Sequence, residues 1–285
     1  MDMILCEIVT FNPDISRLKE NICSIVSQVE KLYIYDNGSK NSSEIEDLLK
    51  QLDSNKIYLE KSHRNEGIAK ALNNGMNYAL ANKFKWVLSL DQDSVFPTGG
   101  VDEYRKVLKN KTSNLAMCSP TIIDRNLKET LNPKQGNVYV SECITSGALT
   151  SVDAWKKVGG YDEWLFIDVV DHEFCWKLIK YKYKILQVQN VVLLHELGFC
   201  EKHRIFKHEF IVYNYSAFRK YYQIRNQLVL DAIYQKKSVT FFSILKKMIN
   251  QSIIVFIYEN DKLNKIKSIK RGAFDAYKKI RNYRL

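Results

Sequence analysis

The sequence lacks the short motifs that identify several common protein classes. Its cysteines form no Cys-x-x-Cys pair and no Cys/His cluster, which argues against a structural zinc site and against a disulfide framework. It has neither a Gly-x-Gly-x-x-Gly motif nor a Gly-Lys-Ser/Thr loop, so a nicotinamide Rossmann site and a P-loop are not supported. No basic leader precedes the first apolar segment, and we therefore expect no secretory signal and a reducing environment.

The composition is that of a globular protein with an uneven distribution of charge. Its 285 residues are 46% hydrophobic and 12% aromatic, enough to bury a core in one large or two closely joined domains. The net charge is +11, and residues 236–285 hold thirteen Lys or Arg against three acids. The rest of the chain is close to neutral, so binding of nucleic acid along a basic groove in its main body is not expected.

Apolar strands alternate with amphipathic helices through the first hundred residues. This alternation predicts an α/β sheet of mostly parallel strands joined by right-handed crossovers. Farther along, residues 185–188 and 191–194 are predicted to form a strand pair that ends at His195, and helices are predicted from about Arg204 onward. In open sheets of this type, ligands bind beyond the carboxyl ends of the strands. Thr10, Asp36 and Asn65 follow three of the predicted strands there, although surface loops are commonly polar for other reasons.

Asp91-Gln92-Asp93 follows the apolar strand that begins at Trp86. Two carboxylates this close repel each other and are costly to desolvate unless a cation or strong donors lie between them. A hard divalent ion on oxygen ligands is therefore the functional interpretation. The alternative is a solvated turn at the end of a strand, where Asp and Ser are common.

A second acidic segment, residues 160–178, interleaves carboxylates with Trp and Phe. Asp171 lies near the start of a predicted helix, where a negative charge is favoured by the helix dipole. It could instead take a proton from an attacking hydroxyl. His195 is either a structural histidine or a third metal ligand. The small residues of 145–149 either leave room for a ligand near the backbone or form a tight turn.

Together these segments resemble family 2 glycosyltransferases, the inverting enzymes of GT-A fold, and most closely their bacterial rhamnosyltransferase-like branch. The matching segments, in the family's order, are Val9–Pro13, Asp36–Ser39, Asn65–Asn73, Leu90–Ser94, Thr145–Gly147, Phe166–Glu173, His195–Gly198 and Arg219–Asn226. The resemblance implies an α/β, GT-A fold: a mostly parallel, Rossmann-like central sheet flanked by helices, with a helical C-terminal extension. It implies a catalytic domain at 1–203, with a nucleotide-sugar-binding half at 1–98 and an acceptor-binding half at 99–203, and a helical, basic region at 204–285.

The resemblance also implies roles for individual residues. Asp171 would be the general base that deprotonates the acceptor hydroxyl as it attacks the anomeric carbon from the face opposite the leaving group. A Mg²⁺ or Mn²⁺ ion would be held by Asp93, Asp91 and His195. The residues implied for the nucleotide-sugar donor, a dTDP- or UDP-sugar, are Thr10, Asn12, Asp36, Asn37, Ser39, Asn65, Gly67, Asn73, Asp91 and Gln92. Those implied for the acceptor are Ser146, Gly147, Trp164, Asp168 and Trp176.

The implied reaction transfers a sugar to a hydroxyl of a growing cell-surface polysaccharide or lipid-linked glycan, with L-rhamnose from dTDP-L-rhamnose as the favoured donor. One alternative is a UDP-hexose or UDP-galactofuranose transferase of the same family. Another is a catalytically silent subunit that binds nucleotide sugar, because Lys177 and residues 215–218 depart from the family's pattern. A sugar-nucleotide pyrophosphorylase is disfavoured, since the N-terminal Gly-rich basic loop of those enzymes is absent.

The basic C-terminal region is expected to be too charged to span a bilayer. One apolar helical face is predicted, formed by Phe241, Leu245, Met248 or Ile249, Ser252 and Phe256. Such a segment could lie on the anionic inner surface of a bacterial plasma membrane, where relatives often act. It could equally pack in a homodimer or against another domain with its basic face in solvent. The sequence thus predicts a cytoplasmic protein, peripheral at the inner face of the plasma membrane.

Overall fold

The computed structural model describes residues 3–110, 112–125, 135–196, 201–205, 208–212, 214–234 and 239–284. The chain divides into two compact units. The first unit contains Met1–Trp164 and Phe174–Glu196, and the second contains Leu165–Glu173 and Leu197–Leu285. The predicted division at residues 203 and 204 stays a prediction.

The first unit holds a large sheet and the helices that cover it. Its strands are β1 (Ile4–Thr10), β2 (Lys31–Asp36), β3 (Ile57–Lys61), β4 (Trp86–Asp91), β5 (Leu115–Asp124), β6 (Val138–Val140), β7 (Leu149–Ser151) and β8 (Lys184–His195). Its helices are α1 (Ile15–Ile25), α2 (Ser42–Leu52), α3 (Ile68–Ala81), α4 (Gly100–Lys109), α5 (Val152–Val158) and the larger part of α6 (Val170–Lys180). A short 3₁₀ turn, Glu163–Leu165, precedes α6.

In its described residues, the second unit consists of helices and one hairpin. Its elements are β9 (Glu201–Ile205), β10 (His208–Val212), α7 (Ala217–Val229), a π-helical turn (Leu230–Tyr234), α8 (Phe241–Tyr258) and α9 (Lys262–Arg284). Lys220 and Lys265 enclose the buried carboxylate of Glu259 at 2.6 and 3.0 Å, which ties α7 to α9. A buried carboxylate that is paired in this way avoids most of the cost of its desolvation.

The sheet has eight strands in the order β3-β2-β1-β4-β7-β5-β8-β6. The strands β3, β2, β1 and β4 are parallel, β7 is antiparallel to both of its neighbours, and β5 is parallel to β8. Helices on the sheet explain why strand residues such as Ile4, Leu5 and Ile8 are completely buried. The predicted α/β class with a mostly parallel sheet is confirmed.

Two local expectations were wrong. The predicted strand pair before His195 is one twelve-residue strand, β8, because all of it pairs with β5 or continues that ladder across a bulge. The hairpin of β9 and β10 extends past Arg204, where helices were expected. The predicted apolar face of α8 lies toward solvent: Phe241 and Phe256 are each 65% exposed, whereas Ile244 and Val255 are the buried residues of this helix.

The C-terminal region was expected to be too charged to span a bilayer, and the composition of α8 does not follow that expectation. Among the helices described, α8 is the one that is long and apolar enough, by length and composition alone, to cross a membrane. Only 11% of this stretch is buried. Most of the region's lysines and arginines lie in α9 instead, so an average over the whole region conceals the apolar character of α8.

Candidate active site

The carboxyl ends of three parallel strands meet at one edge of the sheet in the first unit. The register pairs Thr10 with Asp36 across β1 and β2, and Val9 with Asp91 across β1 and β4. The chain continues to β2 on one side of β1 and returns as β4 on the other, which makes this edge a topological switch point. The predicted gathering of polar strand ends is therefore present in the fold.

The ends of β1 and β2 are joined by a network of hydrogen bonds. The Thr10 hydroxyl donates to Oδ1 of Asp36 at 3.3 Å, and the same oxygen accepts from the Ser39 backbone N–H at 3.1 Å. Asn12 has a left-handed φ of 48°, its N–H donates to the Ser39 hydroxyl at 2.8 Å, and its Oδ1 accepts from the N–H of Lys40 at 2.8 Å. These predicted donor-site residues thus fix one another in place.

A second network holds the loop between β3 and α3. The Asn37 amide donates to Oδ1 of Asn65 at 3.2 Å and accepts from the Glu66 N–H at 2.9 Å. The same Asn65 oxygen accepts from the Gly67 N–H at 2.9 Å. Gly67 has a φ of 88°, a conformation that glycine adopts without steric cost, and it begins α3. Asn37, Asn65 and Gly67 therefore shape the loop beside Asp36.

A cavity of about 270 Å³ opens next to these loops. It is lined by Asp36, Gly38, Ser39, Ser42, Lys61, Ser62 and His63. Two of the lining residues, Asp36 and Ser39, belong to the predicted donor set. The walls offer carboxylate, hydroxyl and cationic groups, so the cavity suits a polar ring or a phosphate-bearing ligand more than an apolar one.

The Asp91-Gln92-Asp93 turn is anchored on both sides. Asn21 of α1 donates to the carbonyl oxygens of Asp91 and Ser94 at 2.7 and 2.6 Å, and Gln92 accepts from the backbone N–H of Phe11 at 2.8 Å. Gln92 thus links this turn to the end of β1. These hydrogen bonds fix the turn relative to α1 and β1, as a preformed binding site requires.

Asp93 has the chemistry of a cation ligand. Its Oδ1 is buried and has no hydrogen-bond partner among the described residues. Burial, followed by the nearby charge of Asp91, raises the pKa of Asp93 to about 6, whereas His195 opposes the rise. A buried carboxylate oxygen without a donor is costly unless a cation meets it, so the residues present fit a hard divalent ion.

His195 lies beside this turn at the end of β8. Its Nδ1 is 2.9 Å from the Ser94 hydroxyl and 3.9 Å from Oδ2 of Asp91. The Ser94 hydroxyl is also 2.9 Å from that of Ser146, which accepts from the Asp91 N–H at 3.1 Å. Because Nδ1 is engaged by Ser94, a metal ligand at this position would use Nε2.

Within the ranges that the structure describes, no group of three or more His, Cys, Asp or Glu side chains is placed to hold a metal ion. The predicted set of Asp91, Asp93 and His195 is therefore not a preassembled cage. Mg²⁺ and similar ions are commonly bound by one or two carboxylates, with substrate phosphates and water completing the shell. The arrangement of Asp91 and Asp93 is consistent with a site of that kind.

Several predicted residues of the first unit make internal contacts. Asn73 accepts from the Trp155 indole N–H and the Tyr161 N–H, and donates to the Tyr161 carbonyl and to Glu163, at 2.9 to 3.0 Å. Asn73 thereby positions the loop after α5, and its contact with a donor stays a prediction. Gly147 has a φ of 77°, and an added Cβ would lie 2.7 Å from Pro120, so glycine is required there.

The remaining predicted residues lie around α6. Trp164 and Trp176 are half-buried members of the first unit, and Asp168 and Asp171 belong to the second. The guanidinium of Arg219 contacts the Asp168 carboxylate at 3.0 Å. Burial raises the pKa of Asp168, although Arg219 opposes the rise. Asp171 is half-buried in the first turn of α6, and its carboxylate accepts from the N–H of His172 at 2.9 Å.

Sequence reasoning did not single out Asn21 or Ser94 as site residues. Both are polar residues that the fold buries completely beside Asp91. Asn21 lies on the apolar face of α1 with Leu18 and Ile22, and a polar residue on such a face was the available signal.

Comparison with known proteins places the chain among transferases of sugars. The model of the family described as Glycosyl transferase family 2 matches residues 7–185, more than half of the chain. The chain is 26% identical over 294 residues to the dTDP-rhamnosyl transferase RfbF of Shigella flexneri, a match that covers 98% of this chain and 95% of that protein. A shorter match, 34% identical over 82 residues, is to an uncharacterized protein of Methanocaldococcus jannaschii and covers 26% of this chain and 35% of that protein.

Among solved structures, the chain resembles the crystal structure of GalNAc-T7 with UDP, GalNAc and Mn²⁺. The TM-score is 0.62 at 14% identity, and the match covers 94% of this chain but 54% of that one. The chain thus spans about half the length of that structure. At this identity the likeness concerns the fold alone, and it confirms the predicted GT-A fold.

Proposed function

The chain belongs to glycosyl transferase family 2, and from this premise we propose that it transfers L-rhamnose from dTDP-L-rhamnose to a glycan hydroxyl with inversion. One observation carries the proposal: the buried, unpartnered oxygen of Asp93 lies beside Asp91 at the switch point of the sheet. The nearly full-length similarity to a dTDP-rhamnosyl transferase supports rhamnose as the sugar. The acceptor would be a growing cell-surface polysaccharide or lipid-linked glycan.

The donor would bind along the carboxyl edge of the sheet. Asp36 and Ser39 line the adjoining cavity, and we propose that they contact the nucleoside. Thr10, Asn12, Asn37, Asn65 and Gly67 would keep these loops in shape through the hydrogen bonds described above. The proposed ligand class is a dTDP-sugar, because a thymine or uracil ring offers polar groups that match the polar walls of the cavity.

Asp93 and Asp91 would hold a Mg²⁺ or Mn²⁺ ion, with His195 as the proposed third ligand. When bound, such an ion neutralises negative charge on a diphosphate leaving group. The contribution of the chain is to bury Asp93 and to orient His195 through Ser94. Gln92 and Asn21 would keep the turn in register with the end of β1.

Asp171 is the proposed general base. Its carboxylate would take the proton of the acceptor hydroxyl while that oxygen attacks the anomeric carbon. The bond from the anomeric carbon to the diphosphate oxygen breaks as the new bond forms on the opposite face, which inverts the centre in one step. Ser146, Gly147, Trp164, Asp168 and Trp176 are the proposed acceptor-side residues, with the aromatic rings available for stacking on sugar.

We also propose that the enzyme acts in the cytoplasm at the inner surface of the plasma membrane. The exposed side of α8 carries the apolar side chains Phe242, Ile249, Ile253, Phe256 and Ile257. The exposed lysines and arginines of α9, such as Lys270 and Arg271, would attract anionic lipid headgroups. A second copy of the chain is the alternative occupant of this apolar surface.

A catalytically silent subunit that binds nucleotide sugar remains the second candidate function. Lys177 suggested it, because the lysine stands where relatives usually have arginine. In the structure, the Lys177 ammonium donates to the backbone carbonyl of Gly160, so the residue has a structural contact that accounts for it. This contact weakens the argument for a silent subunit.

A thermal-shift screen of nucleotide sugars with Mg²⁺ or Mn²⁺ tests the donor. A ligand that binds only the folded chain stabilises it by about 2.7 kcal/mol at one hundred times its Kd. We expect the largest rise in melting temperature with dTDP-L-rhamnose and smaller ones with UDP- and GDP-sugars. A larger rise with UDP-glucose or UDP-galactofuranose would favour the alternative transferases, and no rise with any donor would contradict the proposed function.

A further inference from the structure

The loop that leads into α6 has a strained backbone. Phe166, Asp168 and Val169 have φ values of 65°, 63° and 56°. Val169 is β-branched, and such residues rarely adopt the left-handed conformation because of steric crowding around Cβ. A conformation of this kind persists only where surrounding contacts impose it. The left-handed backbone of this loop therefore depends on the contacts that other residues make with it.

Asn226 of α7 supplies the backbone contacts. It is completely buried, and its Nδ2 lies 2.8, 2.6 and 3.1 Å from the carbonyl oxygens of Leu165, Ile167 and Asp168, so its two N–H bonds are shared among three acceptors. Its Oδ1 accepts from Nε of Arg225 at 2.8 Å, which fixes the orientation of the amide. One side chain thus satisfies carbonyl oxygens along the whole loop, an arrangement that a helix or strand ladder would otherwise provide.

The same face of α7 holds side chains of the loop. Arg219 approaches both carboxylate oxygens of Asp168, with Nε 3.1 and 3.4 Å from Oδ1 and Oδ2. Phe166 stacks on Tyr222 at a centroid distance of 4.9 Å. Arg219, Tyr222 and Asn226 recur at spacings of three and four residues, so one stripe of the helix contacts the loop from Leu165 to Asp168.

We propose that Asn226 and Arg219 are positioning residues that hold the 165–169 loop in its strained form and so set the direction in which α6 presents Asp171. This inference rests on the proposed function, in which Asp171 is the general base. Val169 is two residues before Asp171, and its carbonyl accepts from the Glu173 N–H at 2.9 Å in the first helical turn. A change in the loop backbone therefore reorients the turn that carries the carboxylate.

Two substitutions test this role. Asn226→Ala removes the amide, and Arg219→Lys keeps the charge but removes the two-pronged contact with Asp168. Arg219→Lys is the safer variant for folding, since the Arg219 side chain is 38% exposed. We expect transfer to fall by about 10- to 100-fold, because a small misplacement of a catalytic group has effects of that size. Donor binding, measured by thermal shift, should be retained.

Asn282→Ala, at an exposed position of α9, and Arg17→Lys are the matched controls. Arg17 pairs with Glu20 in α1 and its side chain is 42% exposed, close to the exposure of Arg219. Hydrogen–deuterium exchange should become faster at residues 165–169 in both test variants and in neither control. Because the two residues act through Asp171, adding Arg219→Lys to Asp171→Asn should not reduce the residual rate further.

The results distinguish failure of the positioning role from failure of the proposed transferase function. Wild-type transfer in Asn226→Ala and Arg219→Lys would overturn the positioning role, as would slower transfer with unchanged exchange in the loop. A further loss in the Asp171→Asn background would show that they act elsewhere. Absence of transfer by the wild-type chain would contradict the proposed function instead, and loop exchange in the variants would still test whether α7 holds the loop.

Discussion

At the scale of single residues, Asp93 combines burial with an unsatisfied carboxylate oxygen. In the part of the chain that the structure describes, no donor reaches that oxygen, although Ser94 bonds to both Ser146 and His195 close by. A protein that only needed a turn here could use a neutral side chain at lower cost. We therefore expect a cation that arrives with the donor to meet this carboxylate.

We expect Asp93→Asn to abolish metal binding and to leave the fold intact. The amide is neutral, so it costs less to bury, and the melting temperature without metal should be unchanged or higher. Loss of a residue that only orients a metal ligand typically lowers metal affinity by about 10- to 100-fold. The Mn²⁺ affinity of Asp93→Asn, measured by electron paramagnetic resonance titration, should fall by more than this.

The exposed Asp53 has a φ of 40°, which asparagine tolerates, so Asp53→Asn is the matched control for loss of one negative charge. It should bind Mn²⁺ as the wild type does. Equal Mn²⁺ affinity in Asp93→Asn and the wild type would remove Asp93 from the metal site.

Glu7 is a buried acid that burial keeps protonated, in contrast to Asp93, which is expected to be ionised and to bind a cation. It lies in the middle of β1 with no exposed surface, and burial raises its pKa well above the usual value, partly opposed by hydrogen bonds from Ser89 and the Gly75 backbone. The folded state therefore binds a proton that the unfolded state releases above its pKa of about 4.3. This contribution to stability is present in acid and is lost as the pH rises toward the folded pKa.

Glu7→Gln cannot titrate. The free energy of unfolding of this variant, relative to that of the wild type, should therefore increase as the pH rises from 5 to 8. Each unit by which the folded pKa exceeds the unfolded one corresponds to about 1.4 kcal/mol. Urea unfolding at both pH values measures the difference, with the exposed Glu44→Gln as control. A variant that is destabilised equally at pH 5 and pH 8 would show that Glu7 is not protonated in the fold.

At the scale of secondary-structure elements, α8 carries several large apolar side chains on its exposed side. Contiguous exposed apolar surface of this kind marks an interaction site. We expect the full chain to sediment with vesicles of anionic lipid and not with neutral ones, and to be released by salt. Burial of apolar side chains at the interface and about 1 kcal/mol for each nearby Lys or Arg would supply the affinity.

A triple variant, Phe242→Ser, Ile253→Ser and Phe256→Ser, should lose at least about tenfold in vesicle binding, since each substitution removes apolar area from the interface. Tyr139→Ser changes a comparably exposed residue of the first unit and should have no effect. Binding that resists salt would point to insertion of α8 instead. Equal binding by the triple variant would rule out α8 as the membrane contact, and a concentration-dependent dimer in the wild type would favour a second copy.

The elements that sequence predicted well are those with a strong local pattern. The helices of the first hundred residues, such as α3, were expected from the amphipathic pattern that alternates with the apolar strands. The single strand β8 was mistaken for a pair because the exposed residues Gln189 and Asn190 resemble a turn. Gln189 and Asn190 remain in β8 because β5 pairs with the residues on both sides of them across a bulge. This pairing joins distant parts of the chain, so a local sequence pattern cannot reveal it.

At the scale of the whole molecule, the order of strands and helices was enough to predict the mostly parallel sheet. Thr10, Asp36 and Asp91 could be grouped from sequence because parallel strands bring their carboxyl ends together. The role of Asn226 could not be predicted, because it depends on contacts with carbonyl groups about sixty residues earlier in the chain. The short Asp-Gln-Asp motif also gave no sign that Ser94 and Asn21 support it.

The central claim is that this chain is a metal-dependent transferase with Asp171 as its base. The most direct measurement is release of dTDP from dTDP-L-rhamnose by the purified chain, with membranes of the organism that makes it as the source of acceptor. We expect release that requires Mg²⁺ or Mn²⁺ and falls by about 10²- to 10⁴-fold in Asp171→Asn, while donor binding persists. Undiminished release by Asp171→Asn, or donor binding by the wild type without any release, would contradict the account.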